Sequence, residues 1–169
     1  MTIYSFHIFD RHCNCIYNRE YSHSSSDNNN NSTTVGIVNK NNDSNGSKLL
    51  FGILYSLKSM SSKLIDEETS PIPNALKSFT LGKFRIHYFE SLTNLKFILI
   101  TDINIDNLQH ILWELYSNYY IKNCIQNSLS PIEFKISDDL KENELTGKIN
   151  NHNFIHQTDQ FLQSLSVFN

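Results

Sequence analysis

The chain has 169 residues, a formal net charge of −3 and a hydrophobic content of 39%, which is one domain's worth of length and enough apolar material for one core. So small a net charge gives no strong field toward nucleic acid or an anionic membrane. The longest uninterrupted aliphatic-aromatic run, Phe97–Ile100, falls far short of a membrane span.

Ile3–Phe9 reads as a strand, with Tyr4, Phe6 and Ile8 on one face and Ile3, Ser5, His7 and Phe9 on the other. Apolar side chains on both faces require cover on both, which predicts a central strand. Asp10–Asn14 interrupts it as a polar turn, and Cys15–Tyr17 resumes the pattern. Residues 22–47 are dominated by Ser, Asn and Asp. They offer too little apolar surface to offset the entropy of ordering, so a disordered insert is expected inside a single domain spanning 1–169. Asn30, Asn31 and Asn42 each open an Asn-x-Ser/Thr pattern, but with no secretory leader in view these read as products of the Asn-rich tract.

Ser47 is placed to cap a helix beginning near Lys48, with Leu50, Ile53, Leu54, Leu57 and Leu64 at helical spacing. Asp66-Glu67-Glu68 would be unfavourable in a last turn, so the helix stops near Leu64 or Ile65. Pro71 and Pro73 then hold an extended connection. Leu76–Leu81, a Gly82-Lys83 turn and Phe84–Phe89 form a hairpin, the second strand alternating Phe84, Ile86 and Tyr88 against Arg85, His87 and Phe89. After a turn at Ser91–Asn94, Leu95–Thr101 is nearly continuously apolar and therefore central. Asp106 is placed to cap a helix running to about Asn123, with Leu108, Ile111, Leu112, Leu115 and Tyr119 on one face and Trp113 off it. Asp138–Gly147 is a polar connector, and Asn153–Leu165 a last helix presenting Phe154, Thr158, Phe161, Leu162 and Leu165.

The order strand, strand, helix, three strands, helix, helix predicts an α+β domain. Its five-stranded antiparallel sheet should pair the first strand with the fifth, with one helix on one face and two on the other. This is the longin-like, or profilin-like, pattern. Ile3-Tyr4-Ser5-Phe6 followed by Ile8–Ile16 closely resembles the N-terminus of the smallest, sedlin-like subunits of the TRAPP vesicle-tethering complex. Lys48–Gly52, Leu81–His87, Phe97–Asp102, and Tyr116–Lys122 with Asn127–Pro131 resemble further segments of that family. Nearly the whole chain outside the Asn-rich insert is covered. The resemblance implies a non-catalytic core subunit, without cofactor or metal, in an assembly that exchanges nucleotide on a Rab GTPase between endoplasmic reticulum and Golgi. Its partners would be other TRAPP subunits, a second longin-like one and α/β-family ones, together with the GTPase. It would work in the cytoplasm, peripherally at the cis-Golgi and endoplasmic reticulum, with no nucleic acid partner and no membrane span of its own. The Asn-rich insert and the polar connector depart from the family pattern, and the connector leaves open how the last helix docks.

Candidate sites follow from the residues. Leu81-Gly82-Lys83 lacks the spacing of a phosphate loop and reads as a turn. His12, Cys13 and Cys15 are zinc-ligand types, but four ligands are hard to assemble from them, and the three cysteines read as reduced thiols of a cytosolic protein. His87 reads as a half-buried strand residue, because no carboxylate or nucleophile is placed to work with it. Asp10 is expected to bond its own turn and Arg11 to be solvated, or, alternatively, to pair with a partner chain. Asp10, Arg11 and Trp113 are therefore the partner-interface candidates; Trp113 either stands partly exposed, as interface hot spots do, or packs under the last helix. Two other functions compete. One is a longin-like small chain of a coat adaptor or a SNARE regulatory domain; a SNARE would be expected to continue into heptads and an anchor, which do not appear before Asn169. The other is a thiol-dependent enzyme using Cys13 or Cys15, which would need a low-pKa thiolate beside a His.

Overall fold

The computed structural model describes residues 2–21, 38–39, 44–64, 75–131, 133–134 and 147–166. Ile3–Phe9 (β1), Cys15–Glu20 (β2), Ser78–Leu81 (β3), Phe84–Glu90 (β4) and Lys96–Asp102 (β5) form one sheet in the order β2-β1-β5-β4-β3. Every pairing is antiparallel, and β1 lies beside β5 at the centre. The apolar character of those two strands on both faces is satisfied by helices above and below. On one face Ser44–Lys63 (α1) brings Leu54, with Leu50 and Phe51 at its flanks, onto Phe9, Ile86, Tyr88 and Ile98. On the other, Gln109–Glu114 (α2), its π-helical continuation Leu115–Ile125, and His152–Ser164 (α3) cover Phe6, Ile8, Phe97 and Leu99. Large side chains buried this completely contribute about 1.5–3 kcal/mol each. They set one rigid slab between two sets of exposed helical faces.

Two bulges depart from simple alternation. The β1–β5 register shifts between Ile3 and Ser5, so Ile3 joins Phe6 and Ile8 in one core rather than opposing them. The Tyr4 ring instead meets Phe84 edge-on at 5.1 Å. In β2, Phe9 faces Cys15 and Ile8 faces Tyr17, so Ile16 is the extra residue, and both Ile16 and Tyr17 enter the same core.

The helices begin and turn differently from the spacing argument. α1 starts at Ser44, one turn before Lys48, and Ser47 is not its cap: Ser47 is buried and heads the inward row Ser47, Leu50, Leu54. Burial of that row extends the helix past the local capping signal. Ile53 and Leu64, placed on the stripe by spacing, face outward at 39% and 77% exposure. Asp106 does not cap α2. It is exposed and bonds Arg85 at 2.7 Å, while Asn107 Oδ1 accepts the Gln109 amide. Beyond Leu115 the helix widens, its last amide bond running from Gln126 back to the Ile121 carbonyl. The wider turn moves the buried row from Tyr119 to Tyr120 and Cys124. Tyr119 lies half-buried on Phe161, with ring centroids 4.9 Å apart. α3 behaves as its pattern predicts, capped by Asn151 and burying Phe154, Thr158 and Leu162.

Within the stretch expected to lack structure, Val38 bridges Arg19, and Asn39 is buried, its Nδ2 donating to the Ile149 carbonyl. The rest of that insert up to α1, the Asp66–Glu68 and Pro71/Pro73 connection, and the connector from Asp138 as far as residue 146 lie outside the described residues.

Candidate functional site

The β1–β2 turn is built around Asp10. Its Oδ1 accepts the amides of His12 at 2.9 Å and Asn14 at 2.8 Å, and its own amide donates to the Asn14 carbonyl at 3.0 Å. The carboxylate is buried at 8% exposure and is spent on the turn. This geometry places Cys13 at φ +70°, the left-handed region. Arg11 points outward and is not simply solvated: it forms an ion pair with Glu133 of the same chain, both side chains about half-exposed. Asp10 and Arg11 thus stand together at the edge of a cavity of about 250 Å³, whose inner wall includes Ile16, Leu95, Tyr120 and Phe134.

Trp113 stands elsewhere and does not line that cavity. It is 57% exposed rather than packed under α3, resting edge-on against Phe89 at 5.7 Å and tilted on Tyr116 at 5.7 Å. Its ring is held by neighbours while one side faces solvent, the posture of a preorganised contact. A further surface was legible only in part. Leu49, Ile53 and Met60 sit at i, i+4 and i+11 on the outward side of α1, at 70%, 39% and 63% exposure. Spacing alone contains this second stripe, but it overlaps the inward one at Ile53. A Cβ added at Gly52 on the same helix would meet nothing within 4 Å, so the chain's own packing does not require a glycine there.

The titratable groups are placed as follows. His87 is fully buried between the sheet and α2, its Nε2 3.0 Å from Thr101 Oγ1. Burial, helped by the Arg85 charge, lowers its pKa to about 4. Cys124 lies on the buried side of the π-helical segment, and burial pushes its thiol up to about 12. Cys13 is exposed, while Cys15 packs toward α1 with Sγ 3.3 Å from the Tyr17 carbonyl, so the two thiols face different surroundings. Gly82, at φ +61°, forms the β3–β4 turn.

A five-stranded antiparallel sheet between one helix and two, with an outward apolar row on α1 and a half-exposed Trp113 on α2, defines a longin-like α+β domain. The chain belongs to the Sybindin-like family, whose model matches residues 3–151. It is 36% identical over 162 residues to Trafficking protein particle complex subunit BET5 of Saccharomyces cerevisiae, covering 96% of each chain. It is 31% identical to Transport protein particle subunit bet5 of Schizosaccharomyces pombe, over 99% of this chain and 100% of that one. Against Trafficking protein particle complex subunit 1 of Homo sapiens the identity is 24%, over 99% and 97% of the two chains.

Proposed function

We propose that this chain is a non-catalytic core subunit of a TRAPP-type vesicle-tethering complex, contributing to nucleotide exchange on a Rab GTPase in transport between endoplasmic reticulum and Golgi. The observation that carries the reading is similarity along nearly the whole chain to proteins named as subunits of a trafficking protein particle complex. The outward apolar row of α1 and the half-exposed Trp113 supply surface of the kind that subunit contacts use. An exchange assembly needs no bond-making group. It binds the nucleotide-free GTPase more tightly than the loaded one, and by linkage that difference loosens the nucleotide. This chain's part is to hold partner subunits, a second longin-like one and α/β-family ones, in the geometry that displaces the GTPase's switch segments. It does so from the cytoplasm, peripherally at the cis-Golgi and endoplasmic reticulum. No helix among the described residues is long and apolar enough to cross a membrane, so membrane attachment in this reading comes through partners.

The test is to copurify the tagged chain, identify its companions, and measure release of a fluorescent nucleotide from the Rab with the assembly intact and with this chain omitted. The expected result is recovery of TRAPP subunits and loss of accelerated release on omission. Recovery of adaptor or SNARE chains instead, or undiminished release, would overturn the reading.

A further inference from the structure

α3 carries two imidazoles that the fold does not use. His152 and His156 are exposed and one turn apart, with ring centroids 6.3 Å apart and planes within 13° of parallel. Side chains at i and i+4 lie one above the other on a helix. Among the described residues neither ring has a hydrogen-bond or ionic partner, so the ring nitrogens are uncommitted. The backbone beneath is fixed. Asn151 Oδ1 accepts the amides of Asn153 at 3.0 Å and Phe154 at 3.4 Å, its Nδ2 donates to the Asn123 carbonyl at 2.6 Å, and Phe154 is buried. Asp159, the carboxylate one turn further along, is held by Arg19 and Tyr21 and does not compete for the rings.

We propose that His152 and His156 form a two-imidazole chelate for a divalent transition-metal ion of the zinc, nickel or copper class, with water filling the remaining positions. Imidazole nitrogen suits these ions, whereas magnesium and calcium take oxygen ligands. The helix sets the spacing in advance and both rings lie on its solvent side, so convergence on an ion requires only side-chain rotation. Two protein ligands make the site open and exchangeable, unlike a closed four-ligand structural centre. A bound ion would tie residues 152 and 156 together and hold the first turn of α3 closed.

The probe is Ni²⁺, titrated into the full-length chain by calorimetry and followed through paramagnetic broadening of backbone amides. One ion per chain is expected, with broadening confined to the start of α3. His152→Gln and His156→Gln should each weaken binding by ~10-fold or more, since losing one of two ligands costs no less than losing an outer-shell partner. His110→Gln, at an exposed histidine on α2, should leave binding unchanged. As a second readout, Ni²⁺ should raise the melting temperature of the parent chain but not of His156→Gln, because only a ligand of the folded state stabilises it. Parent-like binding in either α3 variant, broadening centred on the Cys13 turn, or an equal melting shift in His156→Gln would overturn the assignment.

Discussion

Replacing Asp159 by Ala removes the group on which β2 and α3 are locked together. Arg19 Nε lies 3.1 Å from Asp159 Oδ1 and Nη2 lies 2.5 Å from Oδ2, a two-pronged contact between side chains only 5% and 13% exposed. The Tyr21 hydroxyl donates to Oδ1 at 3.0 Å, and the guanidinium carbon sits 5.8 Å from the centroid of the Tyr21 ring. Without the carboxylate a buried guanidinium and a buried hydroxyl lose their shared acceptor. The energy at stake is less the attraction of the pair than the cost of a buried guanidinium with one carboxylate fewer to compensate it, about 3–5 kcal/mol. A domain of this size is stable by only about 5–15 kcal/mol and shifts in melting by roughly 2–4 °C per kcal/mol, so the midpoint should fall by about 6–20 °C. Asp159→Asn should cost less than Ala because an amide oxygen still accepts from Tyr21. The double variant Arg19→Met/Asp159→Leu should be more stable than Asp159→Ala, since both charges leave together. Urea and thermal melts followed by circular dichroism give all of these values. A loss below about 1 kcal/mol for Asp159→Ala, or a double variant no more stable than Asp159→Ala, would refute the reasoning.

Three other outcomes follow from the same structure. His87 should make stability pH-dependent: its folded pKa is lowered to about 4 by burial, from 6.5, so between those values the unfolded chain takes up a proton that the folded chain refuses. Stability should therefore decline as pH falls from about 6.5 toward 4, by on the order of 1–2 kcal/mol after solvent screening, and His87→Gln should flatten that part of the urea-midpoint profile; a slope that survives the substitution would contradict this. Cys13→Gly should stabilise by about 0.5–1 kcal/mol, because a left-handed φ costs a side-chain-bearing residue more than glycine's extra entropy, and a lower melting temperature would show that the turn depends on the side chain. Trp113→Ala should preserve the fold while weakening capture of its partner subunit by about 30-fold, the ~2 kcal/mol of an interface hot spot, so unchanged capture in a pull-down titration would remove Trp113 from the interface.

The strands and their order were readable because their signals are local. β1, β4 and β5 are seven-residue apolar-rich runs whose ends are marked by Asp10–Asn14, Gly82-Lys83 and Ser91–Asn94, and two apolar centres leave little choice of layer. β2, in contrast, continues past Tyr17 to Glu20, and β3 starts at Ser78 rather than Leu76, ends that no apolar pattern marks. The departures all arise where contacts distant in sequence decide. Ile3 changes face because β5 imposes a shifted register on β1, and Ile16 does so because β2 carries one residue more than β1 matches. Ser47 looked like a cap, yet packing draws it into the helix. The π-helical widening has no local signature in Leu115–Ile125, and it exchanges Tyr119 for Tyr120 in the core. Among the interface candidates, the turn chemistry of Asp10 was legible from residue type. The pairing of Arg11 with Glu133 spans 122 positions and was not. The outward row of α1 was present in the spacing but overlapped the inward one at Ile53.

The most direct test of the central claim is the solution mass of the full-length chain by light scattering, alone and co-expressed with a second longin-like TRAPP subunit. A surface meant to be covered should make the lone chain self-associate or precipitate, and the partner should convert it to a soluble complex of defined mass. A stable, soluble monomer whose mass the partner does not change would contradict it.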